Sequence, residues 1–426
     1  MKMNIKIISI IATFLLINFI DIITTIGVSF ITLNLENGNL KEDEWSKIVD
    51  LLNYAANDNI PSLNPEEDNV INNDEFLQNA KIHHSKKLDF ILISIQEGDT
   101  DIENLDQIIN FRLQEGWKCQ RMLKKNGFAG GSRTSTIVQV CGKRKYGDPK
   151  YVRIKESGFF KSMVTTKRIL GFCYTIGNAD YCFTGGHLPV KVDSGAELVS
   201  EFANVLSTSS EGRKFYAFLA GDINTKALYT ESKEVLEVTT SHAKPNKEID
   251  SSSVFVSAFN KYMSKQAESK ITLKFVGNYQ LHQLPFTYKY IEGNTLIYDI
   301  ENILKKKKLN NEKEVFSLGW LDRMLCFTND PDKPNCRIAD NSNKDLSRSE
   351  LKTARLDISL DKNIKNISHT NNAKTDYEDD LDRVVRYYHV PILKKGDHIP
   401  VLGFIEIFVD NEERHKRRKY KKYLLK

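Results

Sequence analysis

The chain has 426 residues, which is long for one ordinary domain, although large α/β enzymes reach this size as a single unit. Apolar residues make up 40% of it, enough for a substantial hydrophobic core. The formal net charge is only +5 and the positive excess is concentrated at the C-terminus, so the charge of the whole chain does not select a class of partner.

The first 27 residues resemble a targeting segment in composition. Lys2 and Lys6 precede the apolar run Ile7–Ile20, and small residues follow up to Gly27. This order is typical of a secretory signal peptide with cleavage near Gly27. A membrane anchor is the alternative interpretation. However, Val28–Leu35 already has the pattern of a buried strand, which would leave almost no linker after a spanning helix.

Apolar periodicity predicts strands that alternate with amphipathic helices along the rest of the chain. In chain order we expect strand Val28–Leu35, helix Lys41–Ala55, strand Phe90–Ile95, helix Asp101–Glu115, strands Thr136–Cys141, Ile169–Tyr174 and Tyr181–Thr184, helix Ser194–Leu206, strand Phe215–Ala220, helix Ser253–Met263, and strands Lys270–Phe275 and Gly403–Val409. Such alternation predicts a sheet-based α/β or α+β domain with helices on its outer faces. Polar composition predicts solvent-exposed insertions at Asn57–Lys87, around Lys305–Lys308 and over Asp361–Asp380.

The six cysteines fall in three pairs that are close in sequence: Cys119/Cys141, Cys173/Cys182 and Cys326/Cys336. In an oxidising compartment this suggests three short-range disulfides, although six cysteines allow 15 connectivities. Cys173 and Cys182 flank a predicted hairpin turn at Gly177-Asn178, which would bring them face to face. No Cys/Cys or His/Cys spacing indicates a zinc site.

Polar side chains stand at the ends of the predicted strands, where an open α/β sheet places its site. They are Asn34, Glu97, His187, Asp222, Asn224, Asp322, Asp397 and His398. Each one alone is more often a turn residue, a helix cap or a structural histidine. Together they supply what metal-assisted phosphate hydrolysis requires. The set offers oxygen ligands for a hard cation, a carboxylate to orient water, and donors for the charge that develops on the phosphate.

The order of these motifs resembles the endonuclease/exonuclease/phosphatase (DNase-I-like) superfamily over roughly residues 28–410. Within that range Pro285–Tyr290 (PFTYKY) precedes Trp320–Leu325 (WLDRML). This is similar to the inositol polyphosphate 5-phosphatases, in which a PTYKY element precedes WCDRIL. The alternative is that Tyr288 and Tyr290 are simply alternating strand aromatics.

The resemblance implies an α+β fold, a four-layer αββα sandwich of two mixed sheets flanked by helices. It also implies three segments: a signal peptide or anchor at 1–27, a catalytic domain at 28–410, and a basic tail at 411–426.

The same resemblance implies catalytic roles. Asp222 would orient the attacking water, while Asn224 and His187 would contact the scissile phosphate. His398 would hydrogen-bond the same phosphate, with its imidazole held by Asp322.

The implied cofactor is Mg²⁺, with Mn²⁺ as its substitute. The implied metal ligands are Glu97, Asn34 and Asp397. The implied substrate-binding residues are Tyr288 and Lys289, which would grip a neighbouring 4-phosphate, together with Arg323 and Lys226.

The chain departs from the family pattern in the residues that hold the substrate ring. The family's GDLNYR is GDINTK here, so Thr225 and Lys226 replace tyrosine and arginine. The NKGG element is barely recognisable near Thr166-Lys167, and Glu314 and Phe316 stand where a Lys/Arg pair usually precedes the tryptophan. The residues expected to bind the metal and to hydrolyse the phosphate are retained, so the departures affect which substrate the site would prefer.

Three functions therefore stay open. The first is a secreted phosphatase acting on inositol phosphates or phosphoinositides, which we expect to be a monomer. The second is a phosphodiesterase of the same fold, such as a secreted nuclease or a sphingomyelinase-like enzyme. The third is a non-catalytic binding module. The tail His415–Lys426 is either a solvated basic end or a contact to an anionic membrane, and a nucleic-acid substrate would explain the same charge.

Overall fold

The computed structural model describes residues 25–36, 38–57, 85, 87–98, 105–114, 116–125, 135–155, 167–228, 250–265, 270–281, 284, 286–288, 290, 315–331 and 386–409. Several expectations lie outside these residues: the segment before residue 25, Lys289, Cys336, most of Asn57–Lys87, the insertions around Lys305–Lys308 and over Asp361–Asp380, and the basic tail. Among the described helices, none has the length and apolar character needed to cross a membrane.

The described elements confirm the predicted alternation of strands and helices. In chain order they are β1 (Thr25–Asn34), α1 (Glu42–Ala55), β2 (Leu88–Gly98), α2 (Leu105–Leu113), β3 (Trp117–Lys125), β4 (Ser135–Lys143), β5 (Lys150–Lys155), β6 (Arg168–Ile176), β7 (Ala179–His187), α3 (Val192–Ser209), β8 (Lys214–Asp222), β9 (Lys226–Leu228), α4 (Ser252–Met263), β10 (Thr272–Phe275), α5 (Asn278–Leu281), β11 (Val315–Gly319), β12 (Asp322–Thr328), β13 (Arg386–His389) and β14 (Val401–Phe408). The first strand begins three residues earlier than expected, so Gly27 lies inside β1 and pairs with Glu406.

The strands form two six-stranded mixed sheets and a small two-stranded one. The first sheet has the order β13-β14-β1-β2-β4-β3, and the second has the order β10-β12-β8-β7-β6-β5. Each six-stranded sheet has one parallel pair among the described strands, β1 with β2 and β7 with β8. Strands β9 and β11 pair with each other.

The core has three layers, because each strand alternates side chains between its two faces. Between the sheets lies an aromatic-rich layer that includes Phe30, Phe90, Phe183 and Phe218. Helices α1 and α2 cover the outer face of the first sheet, and α3 and α4 cover that of the second. This helix–sheet–sheet–helix stack is the four-layer αββα sandwich that the sequence predicted.

The strands that the sequence did not predict include one edge strand of each six-stranded sheet, and these two edge strands lie on the same side of the sandwich. Strand β3 (WKCQRMLKK) ends the first sheet and β5 (KYVRIK) ends the second. The two edges meet where the Tyr151 hydroxyl donates to Gln120 at 3.0 Å. Edge strands are half exposed, and charges on them hinder pairing with other chains. Strands β3 and β5 therefore lack the continuous apolar run from which the sequence analysis predicts a buried strand.

Two of the three expected disulfides are confirmed. Cys119 bonds to Cys141 across β3 and β4, and Cys173 bonds to Cys182 across the β6–β7 hairpin. Cys326 is also disulfide-bonded. Its expected partner lies outside the described residues.

Candidate functional site

A row of four polar residues crosses the end of the second sheet. The strand registers pair Arg168 with His187, His187 with Asp222, and Asp222 with Asp322. Residues paired in this way project from the same face of a sheet. Here that face is turned toward the first sheet, since alternate residues of the same strands, such as Phe183 and Phe218, lie between the sheets.

Gly221 allows β7 and β8 to approach closely beside this row. Its φ is +152°, and a Cβ atom there would lie 2.0 Å from the carbonyl oxygen of Gly186. Any side chain would therefore force the two strands apart. The glycine keeps its neighbour Asp222 next to His187.

The first sheet supplies the opposite wall of the site. Asn34 ends β1 and pairs in register with Gln96 near the end of β2. The following residue, Glu97, has a φ of 53°, and Asn224 on the other wall has a φ of 57°. Both lie in the left-handed region, which non-glycine residues adopt rarely and mostly where surrounding structure holds them, as at functional sites.

Side chains from both walls meet at short distances. Asn34 Nδ2 donates to Asp222 Oδ2 at 3.4 Å and lies 3.4 Å from His398 Nε2. His187 Nε2 is 3.3 Å from Asp222 Oδ2 and 3.7 Å from Glu97 Oε1. The chain thus gathers two acids, two histidines and an amide from positions as far apart in sequence as 34 and 398.

His398 and Asp322 form a buried pair. The histidine Nδ1 is 2.7 Å from Asp322 Oδ2, and the Thr32 hydroxyl donates to the other carboxylate oxygen at 3.3 Å. Burial lowers the pKa of His398, but the charge and hydrogen bond of Asp322, with the charges of Asp222 and Asp397, raise that pKa to about 9. The ring is therefore an imidazolium at neutral pH. Asp322 holds its Nδ1, and its Nε2 faces Asn34.

Asp222 stays ionised for a related reason. Burial acts to raise its pKa. The hydrogen bond and charge of His187, and the charges of His398 and Lys167, outweigh that effect and hold the pKa of Asp222 below its usual value. The backbone N–H of Asn224 also donates to Asp222 Oδ1 at 3.0 Å. A carboxylate in this state accepts hydrogen bonds and orients a donor such as water.

The structure brings most of the predicted site residues to this one rim. Besides the residues of the cluster, Asp397 Oδ1 lies 3.8 Å from His398 Nε2, and the Tyr288 ring lies 4.5 Å from the His398 ring. Asn224 is at the rim, with its side-chain amide donating to the Leu188 carbonyl at 2.7 Å.

One predicted substrate-binding residue lies elsewhere. Arg323 is fully buried, and its guanidinium donates to both Asp250 oxygens at 2.9–3.1 Å and stacks 4.4 Å from the Phe275 ring. It faces α4 because it follows Asp322 in β12 and so projects from the opposite face of the sheet. A second predicted substrate-binding residue, Lys226, begins β9 and pairs in register with Gly319, which in turn forms a bridge with Tyr288.

Sequence reasoning assigned no role to several residues that support the site. The Lys167 ammonium contacts His187 Nε2. Gln96 Oε1 lies 3.2 Å from the Thr32 hydroxyl oxygen, and the Thr287 hydroxyl accepts from the backbone N–H of Asp322 at 3.2 Å. The only sequence signal for them was their position next to the motifs, such as Thr166-Lys167.

The acids around Tyr288 have the chemistry of a hard-cation site. The pKa of Tyr288 is raised, first by burial and then by the negative charges of Asp397, Asp222, Glu36 and Glu97. Mg²⁺ prefers carboxylate oxygens as ligands, so the chemical type of these side chains suits that ion. Within the described part of the chain, no group of three or more His, Cys, Asp or Glu is arranged closely enough to hold a metal ion.

The fold agrees with the expectation from the sequence. A four-layer αββα sandwich carries an Asp–His pair, a second carboxylate and an amide at its strand ends. The predicted sandwich of two mixed sheets is confirmed.

In the comparisons with known proteins, matches were found only among solved structures. No family model matches the chain, and no curated protein sequence matches it. One similar structure is a ferrous NO complex of nitrophorin from Cimex, with 12% identity and a TM-score of 0.45, covering 91% of this chain and 99% of that chain. Another is the inositol polyphosphate 5-phosphatase domain of SPsynaptojanin with inositol (1,4)-bisphosphate and calcium ion, with 13% identity and a TM-score of 0.42, covering 94% and 93%. A third is truncated TDP2 from Caenorhabditis elegans, with 11% identity and a TM-score of 0.36, covering 90% and 98%. At such identities and scores the function has to be argued from the site.

Proposed function

We propose that this chain is a metal-dependent phosphohydrolase that cleaves a phosphate ester by attack of water. The observation that carries the proposal is the convergence of the Asp222 carboxylate and the His398 imidazole on Asn34, each 3.4 Å from its amide nitrogen. A carboxylate and an imidazolium so close together suit a water on one side and a phosphoryl oxygen on the other.

Each residue then has a defined task. Asp222 accepts a hydrogen bond from the attacking water and orients it toward phosphorus. His398 directs its Nε2–H at a phosphoryl oxygen, and Asp322 keeps the ring oriented and charged through the 2.7 Å contact to Nδ1. His187 and the amide of Asn34 donate to the remaining oxygens.

Glu97 and Asp397, supported by Asn34, are the residues that would hold Mg²⁺, or Mn²⁺ in its place. When bound, the ion supplies positive charge that polarises the phosphoryl group. Glu97 suits this role because its side chain is 29% exposed at the mouth of the cluster, while the histidine beside it is 2% exposed.

The substrates we propose are inositol phosphates or phosphoinositides, with a 5-phosphate as the group removed. The support is the TYKY stretch, because the Tyr288 ring lies 4.5 Å from the His398 ring, where a neighbouring ring phosphate would lie. Arg323 does not contribute, since it is buried against Asp250. We also propose that the protein enters the secretory pathway, because its disulfides suit an oxidising compartment and its N-terminus resembles a signal peptide.

The test is an assay panel on the purified chain with Mg²⁺, Mn²⁺ or EDTA. It measures phosphate release from soluble inositol phosphates and from phosphoinositide vesicles, beside plasmid nicking. The test variant is Glu97→Gln, which keeps shape and removes charge, and its matched control is Glu42→Gln at the exposed start of α1. We expect metal-dependent phosphate release that falls by orders of magnitude in Glu97→Gln and is unchanged in the control. Plasmid nicking without phosphate release would favour a diesterase, and full activity in Glu97→Gln would exclude that residue as a ligand.

A further inference from the structure

A basic surface covers the side of the sandwich on which the edge strands β3 and β5 meet. From the start of β3 to the end of β5, residues 117–155, the chain has eleven lysines and arginines and one acidic residue, Asp148. The whole chain has a net charge of only +5. This segment is therefore a second concentration of positive charge, besides the one at the C-terminus.

Six cationic side chains of this segment reach the surface of the described structure. They lie on β3, β4, β5 and the turn between β4 and β5, and we call them the basic flank: Lys118, Lys143, Arg144, Lys145, Lys150 and Arg153.

Acidic residues neutralise only part of this charge. Asp89 Oδ1 lies 3.3 Å from Lys143 Nζ and 3.1 Å from Lys145 Nζ, so two ammonium groups share one carboxylate. Asp148, which is 74% exposed, pairs with Lys118 at 2.5 Å. Solvent screens an exposed pair of this kind, so its lysine can also meet an external anion.

The remaining three cations, Arg144, Lys150 and Arg153, are exposed to solvent. The charge of Arg144 also reaches Asp106 of α2. Within the basic flank the cations still outnumber the neighbouring acids two to one, so the surface stays positive.

Contacts between the strands hold the basic flank in a fixed arrangement. The disulfide Cys119–Cys141 joins β3 to β4. The Tyr151 hydroxyl of β5 donates to Gln120 of β3 at 3.0 Å. A surface whose charges are already in place loses less conformational entropy when it binds a ligand.

The basic flank extends away from the candidate site. Lys155, at the end of β5, pairs in register with Arg168 of the polar row. Lys150 pairs with Cys173, five residues further along β6, which places it about 17 Å from that row at the rise of a β-strand. A ligand on the flank would therefore leave the rim of the sandwich open.

A simpler role for these charges is to keep the edge strands from pairing with other chains. That role requires charges on the edge strands, of either sign. It does not explain why eleven of the twelve charged residues in 117–155 are positive, or why Lys143, Arg144 and Lys145 lie outside both edge strands. The uniform sign points to an anionic partner.

The exposed side chains of the flank decide which anionic partner suits it. Single-stranded nucleic acid is usually bound by successive aromatic rings on which its bases stack. Among the described residues of 117–155, the exposed aromatic side chain is Tyr151 alone, and its ring lies 5.3 Å from that of Phe172. An anionic membrane favours a surface that also inserts apolar side chains, and Tyr151 is again the one large apolar side chain that the described flank exposes.

A sulfated polysaccharide requires cations only. Patches rich in lysine and arginine are typical of heparin-binding surfaces. The planar fork of arginine suits the oxygens of a tetrahedral anion, and lysine adds a point charge. The two disulfides suit an oxidising compartment, and an exported protein meets such polymers outside the cell.

We propose that the basic flank binds a linear sulfated polysaccharide, such as heparan sulfate, and so holds the protein on a cell surface or extracellular matrix. The rim of the sandwich stays open in that complex. The binding does not depend on the proposed hydrolysis, so the two proposals stand or fall separately.

The test measures binding of a heparin dodecasaccharide to the purified full chain by calorimetry at physiological salt. The flank variant combines three substitutions of exposed cations: Arg144→Gln, Lys150→Gln and Arg153→Gln. The matched control removes the same net charge from exposed lysines outside the segment: Lys191→Gln, Lys261→Gln and Lys270→Gln. The comparison ligands are a thymidine oligonucleotide of the same formal charge and vesicles of phosphatidylcholine with phosphatidylserine. Thermal unfolding of each variant checks that it is folded.

We expect the affinity for heparin to fall roughly 3-fold to 100-fold in the flank variant, because each exposed ion pair contributes a factor of about 1.4 to 5. The control should bind as the wild type does, and the wild type should bind heparin more tightly than the oligonucleotide or the vesicles. The three single variants of the flank, each expected to lose about 1.4-fold to 5-fold, keep the test valid if the triple variant unfolds.

Equal losses in the flank variant and the control would mean that only net charge matters, and would overturn the proposal. Heparin binding that ignores the flank variant would place the contact elsewhere, such as the tail His415–Lys426, and would also overturn it. Tighter binding of the oligonucleotide or the vesicles would replace the polysaccharide by that partner.

Discussion

The change Asp250→Asn tests whether Arg323 belongs to the structure or to the substrate site. In the folded chain both partners are buried: the Arg323 side chain is 0% exposed and that of Asp250 is 2% exposed. Three contacts of 2.9–3.1 Å join the guanidinium to the carboxylate. The substitution removes the negative charge, keeps the shape, and leaves a buried cation without its counter-charge.

Breaking one side of a buried ion pair costs about 3–5 kcal/mol. The lower end applies here, because asparagine still accepts one hydrogen bond and the guanidinium keeps its contacts to Thr225 at 3.2 Å and to the Phe275 ring. A loss of about 3 kcal/mol corresponds to a fall in Tm of roughly 6–12 °C, at about 2–4 °C per kcal/mol for a large domain.

The assay is thermal unfolding at pH 7, followed by circular dichroism, with phosphate release per folded molecule measured below both transitions. The matched control is Asp148→Asn, whose 2.5 Å pair with Lys118 is solvent-exposed and should contribute little. We expect a lower Tm with unchanged specific activity for Asp250→Asn, and neither effect for the control. An unchanged Tm with lost activity would refute this reasoning and return Arg323 to the substrate site.

Three further predictions follow from the described contacts. In Asp322→Asn the loss of the carboxylate charge should lower the pKa of His398. We therefore expect kcat to fall by about 10²–10⁴ and the alkaline limb of the pH profile of kcat to move to lower pH. An alkaline limb at the wild-type pH, with kcat within twofold of the wild type, would contradict this prediction. Replacing Cys173 and Cys182 by alanine together should cost about 2–3 kcal/mol in urea unfolding, the value for closing a loop of nine residues, and an unchanged midpoint would speak against it. Burial lowers the pKa of His389 from 6.5 to about 3, so between those values the unfolded chain takes up a proton that the folded chain lacks. The free energy of unfolding should therefore fall by up to about 1.4 kcal/mol for each pH unit below 6.5. His389→Leu should show a smaller slope in urea titrations at pH 7, 6 and 5, and a wild-type slope would count against the assignment.

The amino-acid sequence alone determined the central part of the fold. Buried strands such as β2 and β8 carry continuous apolar runs because both of their faces are covered, and this pattern is visible without coordinates. The two confirmed disulfides were predictable because their cysteines are close in sequence, and the strand registers place Cys119 opposite Cys141 and Cys173 opposite Cys182. Site residues such as Asp222 and His398 were recognisable because their motifs follow or precede those strands in a characteristic order.

Only the tertiary structure decided which polar residues share the site. Asp322 and Arg323 are neighbours in one motif, yet β12 turns them to opposite faces, so one holds His398 and the other pairs with Asp250. Lys167 lies in a barely recognisable motif, and its contact with His187 depends on the β6–β7 register, which pairs the next residue, Arg168, with that histidine. The physical reason is that strand register and face alternation are set by packing between the sheets, over separations in sequence that no local pattern spans.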